Sequence, residues 1–216
     1  MTRDICFDLD GTLTDSGPGI KNSVRYMLAR CGLPPQTDAE LDRFVGPPLM
    51  MSFQAFCGMT EAQAKQAIPV YRAYFKQTGI WENTVYPGIP GLLAALRAAG
   101  HRLYVVTGKP EIFARQILER FDLWQYFSHL QGIDLNEDVP TAKADLLGAV
   151  INRFGLDPAR MVMVGDRRYD MEGAVAVGAT PVGVLYGYGT RQELTAAGAA
   201  YLAPSVPALQ GILLKE

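Results

Sequence analysis

The chain has 216 residues, of which 49% are hydrophobic and 19% charged, with 20 lysines and arginines against 22 acids. The hydrophobic share excludes a disordered chain and supports one large domain or a domain carrying an insertion. A net charge of −2 leaves no electrostatic footprint for a nucleic-acid binder. Cys6, Cys31 and Cys57 are odd in number and lack metal-type spacing, so free thiols in a reducing cytoplasm are expected. The first residues, charged at Arg3 and Asp4, contain no apolar stretch of signal-peptide length. The longest uncharged stretch, 173–190, is broken by Pro181 and several glycines, so no membrane span is expected.

The first element is an apolar run, Ile5-Cys6-Phe7, that stops on Asp8-Leu9-Asp10-Gly11-Thr12. Such a run predicts a buried parallel strand emptying into a turn. In open α/β sheets the ligand crevice lies beyond the carboxyl ends of strands of this kind. Two carboxylates there can bind a hard cation, and one can attack an electrophile. Solvated acids capping a strand are the plain alternative. The pattern then turns purely helical. Ile20, Val24, Met27 and Leu28 mark one amphipathic helix, and residues 38–44, 49–56 and 61–75 supply three more. Gly17-Pro18-Gly19 and Thr78-Gly79 are candidate hinges. A helical insertion directly after the aspartate strand belongs over the crevice, as a lid, the alternative being helices that simply pack on the core. The expected division is a catalytic α/β core of 1–15 and 84–216 with a helical cap of 16–83.

From Pro87-Gly88 onward helices and strands alternate. Strands are expected at 103–107, 130–133, 161–164 and 181–185, with a helix, a short strand and a last helix over 192–214. This predicts a doubly wound parallel sheet. Three more places carry chemistry. Thr107-Gly108 ends a strand with a hydroxyl and an exposed amide, useful for phosphate oxygens although a threonine often only caps a strand. Lys143 follows Pro140-Thr141 at the start of a helix, where a cation opposes the macrodipole unless it has a use such as neutralising a phosphoryl group. Asp166 ends a buried strand and Asp170 follows at i+4, so both can face one cation; helix capping is the competing reading.

In this order, and on these strand ends, the four segments resemble the haloacid dehalogenase-like superfamily. More narrowly, they resemble its helical-cap phosphatases of the phosphoglycolate phosphatase type. The first motif is matched by Asp8-Leu9-Asp10-Gly11-Thr12, the second by Thr107, the third by Lys143 and the fourth by Asp166 with Asp170. Asp15-Ser16, Gly46-Pro47-Pro48-Leu49 and Tyr86-Pro87-Gly88 are similar as well. The resemblance implies a Rossmann-like core with an inserted all-helical cap. It also implies Mg2+-dependent hydrolysis of a small phosphorylated metabolite.

In that mechanism Asp8 attacks phosphorus to give an aspartyl phosphate, and Asp10 serves as general acid and then general base. Mg2+ is held by the Asp8 carboxylate, the Asp10 main-chain carbonyl and Asp166, with Asp170 close by or acting through water. Thr107, the Gly108 amide and Lys143 hold the phosphoryl oxygens. Two departures stand out. Gly108 replaces the asparagine or serine common in relatives, and Arg167-Arg168 replaces small residues and is expected to decorate the surface, tuning of substrate binding being the alternative. Cap residues Lys21, Asn22, Arg43 and Arg72 are candidate substrate contacts. Cysteine-phosphatase, P-loop and serine-hydrolase signatures are absent from the sequence. A phosphomutase of the same fold and a non-catalytic binding or regulatory module are the remaining alternatives.

Overall fold

The computed structural model describes residues 2–135 and 141–215; Pro140, read above as preceding a helix start, lies outside them. Strand β1 (Asp4–Phe7) is followed by the short β2 (Thr14–Asp15) and by four helices, α1 (Gly17–Arg30), α2 (Asp38–Leu41), α3 (Leu49–Cys57) and α4 (Glu61–Gln77). The chain returns through β3 (Thr84–Val85) and α5 (Ile89–Ala98). It then alternates through β4 (Arg102–Pro110), α6 (Glu111–Arg120), β5 (His129–Ile133), α7 (Lys143–Phe154), β6 (Met161–Gly165) and α8 (Arg168–Val177). The last elements are β7 (Thr180–Val184), α9 (Arg191–Ala196), β8 (Tyr201–Ala203) and α10 (Val206–Leu213).

Six strands form one parallel sheet in the order β5-β4-β1-β6-β7-β8. Ile5 and Phe7 pack with Val105 and Val164 on one face, while Cys6 packs with Tyr104 and Met163 on the other. Because both faces are covered, the strands read as unbroken apolar runs rather than alternating ones. The strand order proceeds from β1 to β5 on one side and from β6 to β8 on the other. Its reversal at β1 places a crevice beyond the carboxyl ends of β4, β1 and β6.

The four helices of the cap enter and leave through the β2–β3 ribbon, in which Thr14 pairs with Val85 and Asp15 with Thr84. Val24, Met27, Phe53, Tyr71 and Phe75 are buried in the cap. Thr37 and Thr60 start α2 and α4 with reciprocal capping boxes, each closed by a Glu or Gln three residues on. The expected strand 103–107 extends further than its apolar run, through Gly108 and Lys109 to Pro110, with a register irregularity after Val106.

The two glycine segments expected to be hinges lie against each other. Gly17-Pro18-Gly19 forms the first turn of α1, and the Gly19 amide donates to the Glu82 carbonyl at 3.0 Å. A Cβ on Gly19 would lie 1.9 Å from the Gly79 carbonyl oxygen. These glycines permit close backbone approach, and because the obstructing atom is backbone it cannot yield cheaply. Gly19→Ala is expected to destabilise the protein by about 1–3 kcal/mol, as overpacking does, measured by urea unfolding. A change within about 0.5 kcal/mol, typical of uninvolved surface positions, would contradict this account of the close approach.

Candidate active site

The three central strands deliver their ends to one point. The Asp8 amide continues the ladder by donating to the Val164 carbonyl at 2.9 Å, and Asp8 Oδ1 accepts from the Leu9 amide at 2.8 Å. One oxygen each from Asp8, Asp166 and Asp170 lie within 4.8 Å of one another, and all three residues are buried. Asp166 accepts from the Tyr188 amide at 2.8 Å and from the Thr12 hydroxyl at 3.5 Å, while Asp170 Oδ2 accepts from the Arg167 amide at 3.1 Å.

Missing side chains make this crowding possible. Gly11 adopts φ +76°, and a Cβ there would sit 2.2 Å from the Asp166 carboxylate. A Cβ on Gly165 would meet Asp170 at the same distance, and Gly187 and Gly189 likewise have no room beside Asp166.

Lys143 opens α7 and is buried, with Nζ 2.7 Å from Asp170 Oδ1 and 3.2 Å from Asp8 Oδ1, and it donates to the Val106 carbonyl at 3.0 Å. Burial works against its charge, but Asp170 and Asp8 outweigh that and hold the ammonium above the ordinary lysine range. Burial pushes the Asp8 carboxyl up to about 6 against the pull of Lys143. Burial, and then the neighbouring Asp170, raises Asp166 well above the usual carboxylate range. Two of the three buried carboxylates, Asp8 and Asp170, share the Lys143 ammonium. An all-oxygen, negatively charged set of this kind fits a hard divalent cation such as Mg2+.

The Asp10 carboxylate is not part of the trio. It faces Lys109, whose Nζ lies 2.8 Å from Oδ2. Lys109 lies in the Val105–Pro110 segment but had no role assigned from sequence; the only available signal was a lysine in an otherwise apolar segment ending on Pro110. Thr107 is buried and accepts the Lys109 amide at 3.2 Å. Gly108 has no positive φ, and a Cβ there would meet nothing within 4 Å, so neither backbone nor packing demands glycine.

Two expectations need correction. Arg167 is not surface decoration. Its guanidinium pairs with Glu193 at 2.9 Å and donates to the Val45 carbonyl of the cap, because the strand end beside Asp166 lies under the residues 45–48 turn. Arg168 is exposed, as expected. Arg43 points away from the crevice, donating to the Glu40 carbonyl and lying over the Phe56 ring. Lys21 is paired with Asp42 and Asn22 with Glu82, so among the four cap candidates only Arg72 lines the cavity.

That cavity measures about 370 Å³ between core and cap. Its floor is Asp8, Asp10, Thr107, Gly108 and Lys109; its walls are largely apolar and include Phe44, Leu49, Ile68, Tyr71, Phe75 and Phe113. Among the described residues no helix is long and apolar enough to cross a membrane.

Residues 5–184 match the family model for haloacid dehalogenase-like hydrolases. A 5'-nucleotidase of Pseudomonas aeruginosa is 41% identical, the alignment covering 97% of this chain and 94% of the relative. A phosphoglycolate phosphatase of Vibrio vulnificus is 29% identical over 97% of this chain and 95% of the relative. Among solved structures, a predicted phosphatase from Clostridium acetobutylicum superposes with a TM-score of 0.95 at 40% identity, covering 99% of both chains.

The acidic trio sets a pH dependence. Folded Asp8 keeps its proton up to about pH 6, whereas the unfolded chain releases it near 3.8. This carboxyl therefore makes the metal-free fold less stable as pH rises through that window. A divalent cation held by the ionised carboxylates of the folded chain would stabilise it more at pH 8 than at pH 5. At about 100 times its Kd, Mg2+ should raise Tm by roughly 5–10 °C at pH 8. Thermal melts showing equal shifts at both pH values, or none, would contradict this.

Proposed function

The chain belongs to the haloacid dehalogenase-like hydrolase family and is a phosphoric monoester hydrolase; from that premise we propose that it cleaves a small phosphorylated metabolite in the cytoplasm through an aspartyl phosphate on Asp8, with Mg2+ as cofactor. In the first step an Asp8 carboxylate oxygen attacks phosphorus in line, and the bond from phosphorus to the leaving oxygen breaks as Asp10 delivers a proton to it. In the second step water attacks the same phosphorus and loses its proton to Asp10. The acyl–phosphate bond breaks, releasing inorganic phosphate and restoring both carboxyl groups. The Asp8, Asp166 and Asp170 side chains and the Asp10 main-chain carbonyl would hold Mg2+, which supplies charge neutralisation between an anionic nucleophile and an anionic phosphate. Lys143, the Thr107 hydroxyl and the Gly108 amide hold the phosphoryl oxygens, and positioning of this kind dominates phosphoryl transfer.

The observation that carries this reading is the position of Asp8. It lies at the floor of the cavity between core and cap, 3.2 Å from the Lys143 ammonium and beside an acidic pair suited to a cation. A bystander carboxylate in a non-catalytic module would have no use for such surroundings.

Within the class of small phosphorylated metabolites, the cavity favours a nucleoside monophosphate over phosphoglycolate. About 370 Å³ is in the range that holds drug-sized ligands, and a two-carbon leaving group would leave most of it unfilled. Tyr71, Phe75 and Phe113 offer apolar ring surface that glycolate cannot use. The 5'-nucleotidase relative accords with this choice.

Asp8→Asn is expected to retain the circular dichroism spectrum while phosphate release falls at least about 100-fold; near-normal release would overturn the nucleophile assignment. For the wild type, kcat/KM should favour a nucleoside monophosphate over phosphoglycolate by roughly 10-fold or more, the scale that lost apolar contact produces. A reversed preference would overturn the substrate class. Stoichiometric transfer to a second sugar hydroxyl, with no free phosphate, would instead identify a mutase.

A further inference from the structure

Lys109 belongs to no part of the mechanism above, yet it is 8% exposed and sits at the cavity floor. A buried ammonium is expensive unless it is paired. Its partners come from both halves of the molecule. Nζ lies 2.8 Å from Asp10 Oδ2 in the core and 4.6 Å from the centroid of the Phe75 ring in the cap. That ring is itself fixed, stacked on Tyr71 at 5.8 Å and met edge-on by Phe113 of α6 at 5.4 Å. The second oxygen of the same carboxylate, Asp10 Oδ1, is buried with no hydrogen-bond partner among the described residues. One oxygen of Asp10 is therefore anchored, and the other is buried without a hydrogen bond among the described residues.

We propose that Lys109 is a positioning residue that couples the cap to Asp10: the Phe75 ring seats the ammonium, and the ammonium orients the Asp10 carboxylate so that Oδ1 is presented to the leaving oxygen. The proposal rests on the assignment of Asp10 as proton donor. Its physical basis is twofold. A cation held between a desolvated ring face and a carboxylate has little freedom to wander. A carboxyl group whose Oδ2 is held by the ammonium cannot rotate its other oxygen, which carries the proton, out of line without losing that contact. Opening the cap would remove the ring and release both groups together, so proton donation is available only when water is excluded.

The test uses phenyl phosphates of graded leaving-group basicity, from 4-nitrophenyl to unsubstituted phenyl phosphate, with Mg2+ present. A nitrophenolate leaves without help, whereas a more basic phenolate needs the proton. Lys109→Met should reduce kcat/KM for 4-nitrophenyl phosphate less than about 10-fold and for phenyl phosphate about 100-fold or more, the range spanned by general acid catalysis. Phe75→Leu should steepen the dependence in the same direction, and Lys109→Arg should partly restore it. Each slope is a ratio within one protein, so an incompletely folded fraction cancels. Parallel losses across the series, or no loss, would overturn the assignment of Lys109. A steeper slope in Lys109→Met with none in Phe75→Leu would overturn the coupling to the cap. Asp8→Asn run alongside reports on the phosphatase reading separately, because activity in that variant would contradict the mechanism whatever Lys109 does.

Discussion

Asp8, Asp166 and Asp170 bring three carboxylate oxygens within 4.8 Å of one another in a buried volume, and much of the surrounding structure exists to tolerate that repulsion. Ion pairs taken out of water are stable only when geometry and additional hydrogen bonds compensate their desolvation. Lys143 provides the charge, meeting Asp8 and Asp170 at once. Backbone amides of Leu9, Tyr188 and Arg167 provide the hydrogen bonds. The room comes from glycines at 11, 165, 187 and 189, where any side chain would collide with a carboxylate or its backbone. The metal-free arrangement remains short of positive charge. That shortage suits the three carboxylates to holding a divalent cation.

The sheet order explains why these groups meet and why the cap sits over them. β1 lies between β4 and β6, so residues separated by about 100 and 155 positions become neighbours at the strand ends. The insertion leaves from β2, directly beyond Asp10, and its apolar helices form the opposite wall. Several contacts tie the two halves together at chemically important places. Arg167, beside Asp166, donates to the Val45 carbonyl of the cap. The Tyr188 amide holds Asp166 while its hydroxyl donates to Asp15 at the cap entrance. Lys109 bridges Asp10 and Phe75. The cap is thus tied by direct contacts to the loops that carry the acidic groups.

Much of this was legible in the chain. The apolar runs stopping on Asp8, Thr107 and Asp166 announced buried parallel strands, because a strand covered on both faces has no polar positions until it leaves the sheet. Lys143 was visible as a cation at an unfavourable helix position. What stayed hidden depends on distant partners. Lys109 looks like any lysine in a loop until the continuation of β4 brings it to Asp10 and the fold of α4 brings Phe75 over it. Arg167 looked superficial because its partners, Val45 and Glu193, lie 122 and 26 positions away. Arg43 misled for the same reason in reverse: a charge on a short helix can face either way, and only packing decides, here over Phe56. The glycines at 187 and 189 could be counted as loop residues, but their closeness to Asp166 is a tertiary fact.

The central claim is covalent: during turnover the phosphoryl group is carried by Asp8. An acyl phosphate is reduced by borohydride, whereas a free carboxylate is not, so the bond can be recorded where it forms. Protein turning over 4-nitrophenyl phosphate with Mg2+ is quenched in acid, reduced, digested and sequenced by mass spectrometry. The account predicts that position 8 alone is converted to the reduced product, and only when both phosphate ester and Mg2+ were present. Reduction at another aspartate, or an unmodified position 8 in protein quenched during steady turnover with its phosphoenzyme shown to accumulate, would contradict it.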